Sequence, residues 1–353
     1  MNKRWLVILM GMLSVLFLAA CSSSTDEVEE TNDSDEPKKA EVESNDPLVM
    51  VWYPNESGSD MASSRDAFGE IFEKATGRKV EHKLTTDYAI AIESIANGNA
   101  DVAFMGPQGY IEAKNKSDDV EPLVVPSGES GTLDDAVYFS WLAVPKDKAE
   151  QYKVNGEYTL DATEGKTISF VSVSSTSGFK VPTSSILSHF SDKNLTEEAL
   201  MEGNEVYPEV LFGDSHQGSA VNMLMERSDI AAFCNTCVEA YVDLAEGEKN
   251  TPGAVYKVKE NAAAPFNTLV GKEFVLIQVT PVLNSPFVVN TSVLGAEEIK
   301  KLKELLISDE TTNNTSIFVP EDSGGSGLFY KAADERFLEV EDAWFNPVRE
   351  LSK

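Results

Sequence analysis

The sequence has few of the residues that metal sites, disulfide frameworks and nucleic-acid surfaces need. It has three cysteines and three histidines in 353 residues, and its 29 basic residues are outnumbered by 59 acidic ones, for a net charge of −30. The histidines are scattered at positions 82, 189 and 216, so no His-rich metal motif is present. A surface this acidic argues against nucleic acid and anionic lipid headgroups as partners. We expect no nucleic-acid partner, no metal and no other cofactor.

The sequence also lacks the motifs of several common enzyme classes. It contains no Gly-x-Ser-x-Gly nucleophile elbow and no Walker-type phosphate loop. These absences favour a protein that is not an enzyme.

The one long apolar run lies at the N-terminus. Trp5 to Ala20 follows Lys3 and Arg4 and is shorter than the roughly 20 residues that a membrane-spanning helix needs. It ends in Leu-Ala-Ala-Cys21, which resembles a bacterial lipobox, where the cysteine is lipidated and begins the mature chain. We predict a lipoprotein signal peptide over 1–21 with lipidation at Cys21. An uncleaved anchor is the alternative, and it would leave the rest of the chain on the same side of the membrane.

Residues 22–46 are acidic and almost without apolar side chains. They contain ten Asp or Glu and two Lys, so they cannot bury enough apolar surface to offset the entropy lost on ordering. We predict a disordered tether between the lipid and a folded domain. The domain is then held at a cell membrane outside the cytoplasm, and the long tether favours a single-membrane, Gram-positive-type cell.

From residue 47 onwards, strand-like and helix-like segments alternate. A strand over 48–53, a helix ending at Gly77, a strand over 79–84, a helix capped by Thr85-Thr86-Asp87, a strand over 101–105 and a loop over 106–110 follow one another. This order implies a mostly parallel sheet covered by helices.

A second unit of the same kind follows. A strand from Thr167, a helix to about Phe190, a strand over 206–212, a helix through Val221 and a strand over 229–233 repeat the order, and extended runs over 138–144 and 274–282 flank them. We predict an α/β fold of two lobes joined by two extended crossings, with a ligand cleft between them. Lobe 1 would comprise 47–140 and 283–353, and lobe 2 would comprise 141–282.

The turn Ser174-Ser175-Thr176-Ser177-Gly178 has the composition of an anion site. Its hydroxyls can donate hydrogen bonds beside the free N–H groups at the start of the next helix. Gly178 would let the backbone approach a ligand closely. The alternative is that Thr176 or Ser177 only caps the helix.

Three segments resemble the signatures of one family. Asp101 to Tyr110, Ser174 to Gly178 with Val181-Pro182 after it, and Gly213 to Ser219 resemble those of the PhnD-like phosphate, phosphite and phosphonate-binding proteins of ABC importers. The resemblance implies a type II periplasmic-binding-protein fold. Its cleft would close on the ligand and deliver it to a membrane permease.

The same resemblance implies roles for individual residues. Ser174, Ser175, Thr176, Ser177 and the amides near Gly178 would hold the phosphoryl or phosphonyl oxygens, and Tyr88 and Tyr110 would line the opposite wall. His216 matches the family's histidine. The chain departs from the family at Asp214, where a glycine is usual, and at Gln217, where an acidic residue is usual. An amide oxygen can still accept a hydrogen bond from a protonated ligand oxygen, so Gln217 remains a predicted ligand-binding residue.

Other roles remain open for two of these residues. His216 could be an ordinary core or surface histidine. Tyr88 shares a helical stripe with Ile92 and Ile95, so it could be a core tyrosine.

Cys234 and Cys237 form the pair Cys-Asn-Thr-Cys after a predicted strand. A disulfide is the leading interpretation, because an exported protein meets an oxidising compartment. Asn235 lies where it could contact a ligand.

We therefore expect a monomeric, lipid-anchored solute-binding protein that captures phosphate, phosphite or a small phosphonate and passes it to an ABC permease. Three alternatives stay open. They are the same fold with an aromatic or nucleobase-like solute bound through Tyr88, Tyr110, Trp141 and Phe179, an extracytoplasmic thiol oxidoreductase using Cys234 and Cys237, and a structural or adhesive surface lipoprotein.

Overall fold

The computed structural model describes residues 46–351, in which helices pack against two main β-sheets. The predicted signal peptide, Cys21 and all but the last residue of the predicted tether lie outside this range. Within it, every helix is too short or too polar to cross a membrane.

Strands and helices are numbered in chain order. The strands β1 to β17 are Leu48–Trp52, Val80–Leu84, Val102–Phe104, Val120–Pro126, Val137–Pro145, Lys153–Val154, Glu157–Tyr158, Thr167–Phe170, Glu209–Phe212, Ile230–Cys234, Val242–Glu246, Val255–Val258, Glu273–Leu283, Phe287–Asn290, Phe318–Pro320, Phe329–Lys331 and Phe337–Glu339. The α-helices α1 to α8 are Ala62–Thr76, Tyr88–Ala96, Pro107–Lys116, Val181–His189, His216–Leu224, Ala296–Leu306, Asp309–Thr312 and Asn346–Glu350.

The first sheet has the strand order β17-β4-β14-β3-β1-β2. β1 is parallel to β2 and β3, as the alternating pattern predicts, and β14 runs antiparallel between β3 and β4. Alternate residues of β1 face opposite sides of the sheet. Met50 and Trp52 belong to the apolar core that includes α1 and α6, whereas Val51 belongs to the core that includes α2 and α3.

The N-terminal half of this sheet follows the sequence-based expectation except in one segment. Helix α1 ends at Thr76 and is capped by Gly77, whose φ of 74° gives the left-handed conformation that glycine adopts readily, and the Asp87 side chain caps α2. The predicted loop over 106–110 is wrong, because α3 begins at Pro107. Proline is favoured in the first turn of a helix, where its missing N–H group has no partner to lose. Tyr110 therefore lies on a helix.

The second sheet has the strand order β11-β12-β13-β5-β10-β8-β9. β8 is parallel to both β9 and β10, whereas β5 is antiparallel to β10 and β13. The two extended segments predicted from the sequence are neighbours, since β5 and β13 pair from Val137 with Leu283 to Pro145 with Phe274. Residues 127–136 and 284–286 then lead back to the first sheet.

The Ser/Thr turn comes after β8, which ends at Phe170. A π-helical turn over Thr176–Lys180 leads into α4, and the Ser175 hydroxyl accepts a hydrogen bond from the backbone N–H of Gly178 at 3.1 Å. The cap of this helical segment is therefore Ser175, and the alternative role given to Thr176 or Ser177 is wrong.

Gly178 is required by packing within the protein. A Cβ atom there would lie 2.5 Å from the Cβ of Val171 and closer still to its Cγ2. The expectation that Gly178 makes room for a ligand is therefore not what the structure shows, since a buried apolar side chain fills this space.

We expect Gly178→Ala to lower the free energy of unfolding by about 1–3 kcal/mol, because overpacking a buried site forces neighbours to move. Urea unfolding measures the loss. Gly295→Ala is the comparison, because its Cβ would meet only the end of the Glu298 side chain, at 3.5 Å, so its loss should be limited to that of replacing an N-cap glycine by alanine. A double-mutant cycle with Val171→Ala should show coupling between the two sites, and additive losses would contradict the steric explanation.

Candidate functional site

A cavity of about 290 Å³ lies where strands of both sheets end. The segment after β1, the start of α2 and the segment after β4 contribute from one side, and the Ser/Thr turn, the start of α5 and the segment after β10 contribute from the other. In open α/β sheets, ligands bind at the carboxyl ends of parallel strands. The polar residues that line it include Asn55, Glu56, Tyr88, Tyr138, Ser175, Thr176, His216, Gln217 and Asn235.

The structure brings six of the ten predicted ligand-binding residues to this cavity: Tyr88, Ser175, Thr176, His216, Gln217 and Asn235. The other four, Tyr110, Ser174, Ser177 and Gly178, do not line it. All four are buried.

Tyr110 has a structural role that its predicted place in a loop concealed. Its hydroxyl donates to Asp342 Oδ1 at 2.6 Å, and its ring lies 4.8 Å from that of Phe345. Helix α3 thus directs Tyr110 towards the C-terminal segment, away from the cavity. Ser174 is also occupied, because its hydroxyl donates to Glu112 Oε2 at 2.6 Å.

The aromatic residues proposed for an organic ligand are not assembled in one place. Trp141 is buried in the second sheet and its Nε1 donates to Asn250 Oδ1 at 3.0 Å. Phe179 packs against Phe170 and Phe212. Of the four aromatic residues, Tyr88 alone lines the cavity.

The hydroxyls of Ser175 and Thr176 already accept hydrogen bonds from the protein. Thr176 Oγ1 accepts from the backbone N–H of Gln108 in the first turn of α3, at 2.9 Å, and Ser175 Oγ accepts from Gly178. A hydroxyl has one proton and two acceptor lone pairs. Both residues therefore retain an O–H group that can donate to a ligand.

His216 has a defined tautomer. Its Nδ1 accepts from the backbone N–H of Cys234 at 3.0 Å, so the ring proton of the neutral form is on Nε2, which lies 3.4 Å from Ser175 Oγ. Burial lowers the pKa of His216 to about 3. His216 is thus an uncharged donor that helps to orient Ser175.

Asn55 connects the two sides of the cavity and was not found in the sequence analysis. Its Oδ1 accepts from the His216 backbone N–H at 3.1 Å, its Nδ2 donates to the Tyr88 hydroxyl at 2.6 Å, and its carbonyl accepts from Gln217 Nε2 at 3.2 Å. Only its position directly after a strand could have suggested a site residue.

The structure shows what Gln217 does in place of an acidic residue. Its Nε2 donates both to the Asn55 carbonyl and to the Cys237 carbonyl, at 3.2 and 3.0 Å. A carboxylate could not make either bond, because it only accepts. The buried Oε1 of Gln217 has no partner within residues 46–351, so the protein itself leaves this acceptor unused.

Glu56 is a second residue that the sequence analysis missed. It follows β1, its side chain is buried, and its Oε2 has no hydrogen-bond partner among residues 46–351. Burial raises the pKa of Glu56 to about 8. Its position in the turn after β1 is again the only signal that the sequence offers.

Tyrosine hydroxyls lie around these groups. The rings of Tyr53 and Tyr88 are 4.1 Å apart. Burial raises the pKa of Tyr138 to about 12 and that of Tyr88 further. Both keep their phenolic proton at neutral pH.

Cys234 and Cys237 are joined by a disulfide whose Cα atoms are 5.4 Å apart. Cys234 is buried and Cys237 is partly buried, so the pair has little of the exposure that a thiol oxidoreductase needs. The ligand atoms of both cysteines and His216 lie within 4.8 Å of one another. The disulfide engages both sulfurs, so this group does not offer thiolates to a metal.

Asn235 supports the wall rather than projecting freely from it. Its Oδ1 accepts from the Phe139 backbone N–H at 2.7 Å, and its own N–H donates to the Phe139 carbonyl at 3.0 Å. These two bonds fix the Cys-Asn-Thr-Cys loop on β5.

We expect the buried, neutral His216 to make the folded protein sensitive to acid. Between pH 6.5 and about 3 the unfolded chain binds this proton and the folded chain does not. The free energy of unfolding therefore decreases as the pH is lowered, by up to about 1.4 kcal/mol per pH unit. His216→Asn should flatten the profile, because asparagine does not bind a proton in this range. Its side-chain oxygen can still accept from Cys234, so that hydrogen bond is kept. Denaturant unfolding from pH 4 to 7 tests this, and parallel profiles of the two proteins would contradict it.

The family model and a curated relative both relate this chain to import proteins for phosphonate or phosphate. Residues 50–345 match the family described as ABC transporter, phosphonate, periplasmic substrate-binding protein. The Phosphate-import protein PhnD of Mycolicibacterium smegmatis is 26% identical over 345 residues, covering 96% of this chain and 92% of that protein.

Two solved structures resemble this chain over most of its length. A binding protein component of an ABC phosphonate transporter from Pseudomonas aeruginosa gives a TM-score of 0.62 at 19% identity, covering 87% of this chain and 85% of that one. PhnD1 from Prochlorococcus marinus in complex with methylphosphonate gives 0.61 at 15% identity, covering 87% and 97%. They confirm the predicted type II periplasmic-binding-protein fold. Since the family match spans most of the sequence, the chain belongs to the periplasmic substrate-binding proteins of phosphonate ABC transporters.

Proposed function

We propose that this protein captures phosphate, phosphite or a small phosphonate from outside the cytoplasm and delivers it to an ABC permease. The observation that carries the proposal is the set of oriented neutral donors at one end of the cavity. Ser175 and Thr176 each accept a hydrogen bond from a backbone amide and have an O–H group to donate, and His216 is held as the tautomer that supports Ser175.

Neutral donors suit an oxyanion. Hydrogen bonds to a charged acceptor contribute about 1.5–3 kcal/mol each. Lys249, a cation at the cavity, is already paired with Glu239 at 3.2 Å and Glu321 at 2.8 Å. Recognition would therefore depend on the number and direction of hydroxyl and amide dipoles.

Phenylalanine rings that contact one another form an apolar wall of the cavity, which supports a ligand with a carbon substituent. Phe104, Phe318 and Phe329 line it, and apolar side chains favour apolar ligand groups. A phosphonate, whose phosphorus carries carbon, would use both walls, whereas phosphate and phosphite would use only the polar one.

Ligand-stabilised closure is the mechanism. Contacts that link the segments around the two sheets include Tyr241 to Asp60 at 2.7 Å, besides those of Asn55. A ligand that binds the closed form more tightly shifts the population towards it. The moving parts would be the predicted lobes, 47–140 with 283–353 and 141–282, whose limits fall within the paired strands β5 and β13.

Cell attachment completes the proposal. Lipidation at Cys21 would hold a monomeric binding protein on the outer face of a cell membrane, near its permease. Family membership supports a transport role rather than an enzymatic one.

The test is calorimetric titration of the chain from residue 22, freed of carried-over ligand by unfolding and refolding, with phosphate, phosphite, methylphosphonate and 2-aminoethylphosphonate. We expect one of them to bind with micromolar or tighter affinity. No binding by any of the four would contradict the proposed ligand class and favour the organic solute.

We expect Thr176→Val to weaken that affinity about 10- to 150-fold, because it removes one hydrogen bond to a charged acceptor worth about 1.5–3 kcal/mol. Thr183→Val is the matched control, since Thr183 is equally buried, its hydroxyl has no partner within the described residues, and it lies outside the cavity. Equal affinities of the two variants would remove Thr176 from the site.

A further inference from the structure

The carboxyl group of Glu56 is placed where an anion-binding site should not have a negative charge. Glu56 lines the cavity that Ser175 and Thr176 also line, its side chain is 8% exposed, and its Oε2 has no partner in the described part of the chain. Its own backbone N–H and the Asn55 side chain donate hydrogen bonds to the carboxyl group, but Oε2 remains without one, and an ionised carboxylate buried with one unpaired oxygen is costly. A carboxyl that keeps its proton avoids this cost and can donate a hydrogen bond.

The titratable groups around Glu56 come from four elements, and one of them is a cation. Arg65 on α1 directs Nη1 to the backbone carbonyls of Glu56 and Gly58. Burial raises the pKa of Glu56 by more than its own backbone N–H, the Asn55 side chain and the charge of Arg65 lower it. The other titratable groups that interact with Glu56 are neutral at pH 7: Tyr53 after β1, Tyr88 on α2 and Tyr138 on β5.

A phosphorus oxyanion distinguishes sharply between the two forms of this carboxyl. Beside a carboxylate it meets like-charge repulsion in a poorly screened environment. Beside a carboxylic acid it meets one more donor, added to those of the hydroxyls.

We infer that Glu56 binds the ligand as a protonated carboxylic acid that donates a hydrogen bond to a ligand oxygen, and so makes oxyanion affinity depend on its proton. The inference rests on the proposed function and adds a specificity-determining residue to it. The inference would be wrong if an ionised Glu56 instead bound the ammonium group of a ligand.

The sign of the pH dependence follows directly. The pKa of Glu56 without ligand is about 8, so below this value the site already carries the proton. Above it, the ligand binds only with uptake of a proton from solution. At pH 9 the affinity should then be about tenfold lower than it would be without this ionisation.

The experiment compares the wild-type chain from residue 22 with Glu56→Gln, using phosphite and methylphosphonate in calorimetric titrations at pH 6, 7, 8 and 9. Glutamine keeps a donor group but cannot ionise. The ligands' own ionisation affects both proteins equally, so the ratio of their affinities isolates Glu56. We expect a constant ratio from pH 6 to 7 and a relative loss of about tenfold in the wild type by pH 9.

A matched control removes a different carboxylate of the cavity. Glu239→Gln deletes a charge that Lys249 pairs, and its pH profile should run parallel to that of the wild type. At pH 8.5, titrations in two buffers of different ionisation enthalpy should show greater proton uptake by the wild type than by Glu56→Gln.

Three outcomes would overturn the inference: a wild-type to Glu56→Gln ratio that is constant from pH 6 to 9, equal proton uptake by the two proteins, or 2-aminoethylphosphonate binding that strengthens above pH 8 only in the wild type. If none of the ligands binds the wild type at pH 6, the proposed function itself fails. Binding with a constant ratio rejects only the role of Glu56.

If Glu56→Gln does not fold, NMR of the wild type with carboxyl-labelled glutamate gives the answer. A carboxyl carbon that titrates near pH 8, and at higher pH once phosphite is added, supports the inference. Titration of every glutamate below pH 6 contradicts it.

Discussion

The hydrogen bonds of Asn55 hold together the parts of the cavity that belong to different sheets. Asn55, in the turn after β1, contacts Tyr88 on α2 and the first two residues of α5, His216 and Gln217. Each of these groups is buried, and a buried polar group that loses its partner costs about 1–3 kcal/mol. The orientation of the tyrosine and of the histidine therefore depends on the same short turn.

Burial has opposite electrostatic effects on two residues of this cavity, and the effects complement each other. It removes the proton from His216 and retains the proton on Glu56, because in each case the charged form loses its hydration. The polar wall that they share with Ser175 is nearly uncharged at neutral pH, although the whole chain has a net charge of −30. Local desolvation, not the overall charge, sets the character of this wall.

The sequence predicted the fold better than it predicted the site. Strand and helix periodicity located most elements within a few residues, because a core on each face of a sheet imposes that pattern. Tyr110 was misplaced because the segment with Pro107 was predicted to be a loop. In a helix, the position of a residue around the helix axis decides whether its side chain reaches the cavity. Asn55 could not be found, because its significance comes from His216, 161 positions away, and Glu56 could not be found, because its burial arises only in the folded chain.

Gln217, one of the two departures from the family's signatures, is structurally connected to the Cys-Asn-Thr-Cys loop. Its side-chain amide donates to the carbonyl of Cys237, so the residue and the loop form one unit. The sequence alone offers no sign of this connection, because the two segments are about 20 positions apart.

The pairing of β5 with β13 has a mechanical consequence. β5 and β13 are hydrogen-bonded up to Val137 and Leu283, so both connections leave the second sheet side by side. A hinge at this level would bend both connections together. Rotation about one axis near these two residues is then the simplest motion of the two sheets, and each closure would bring the same surfaces together.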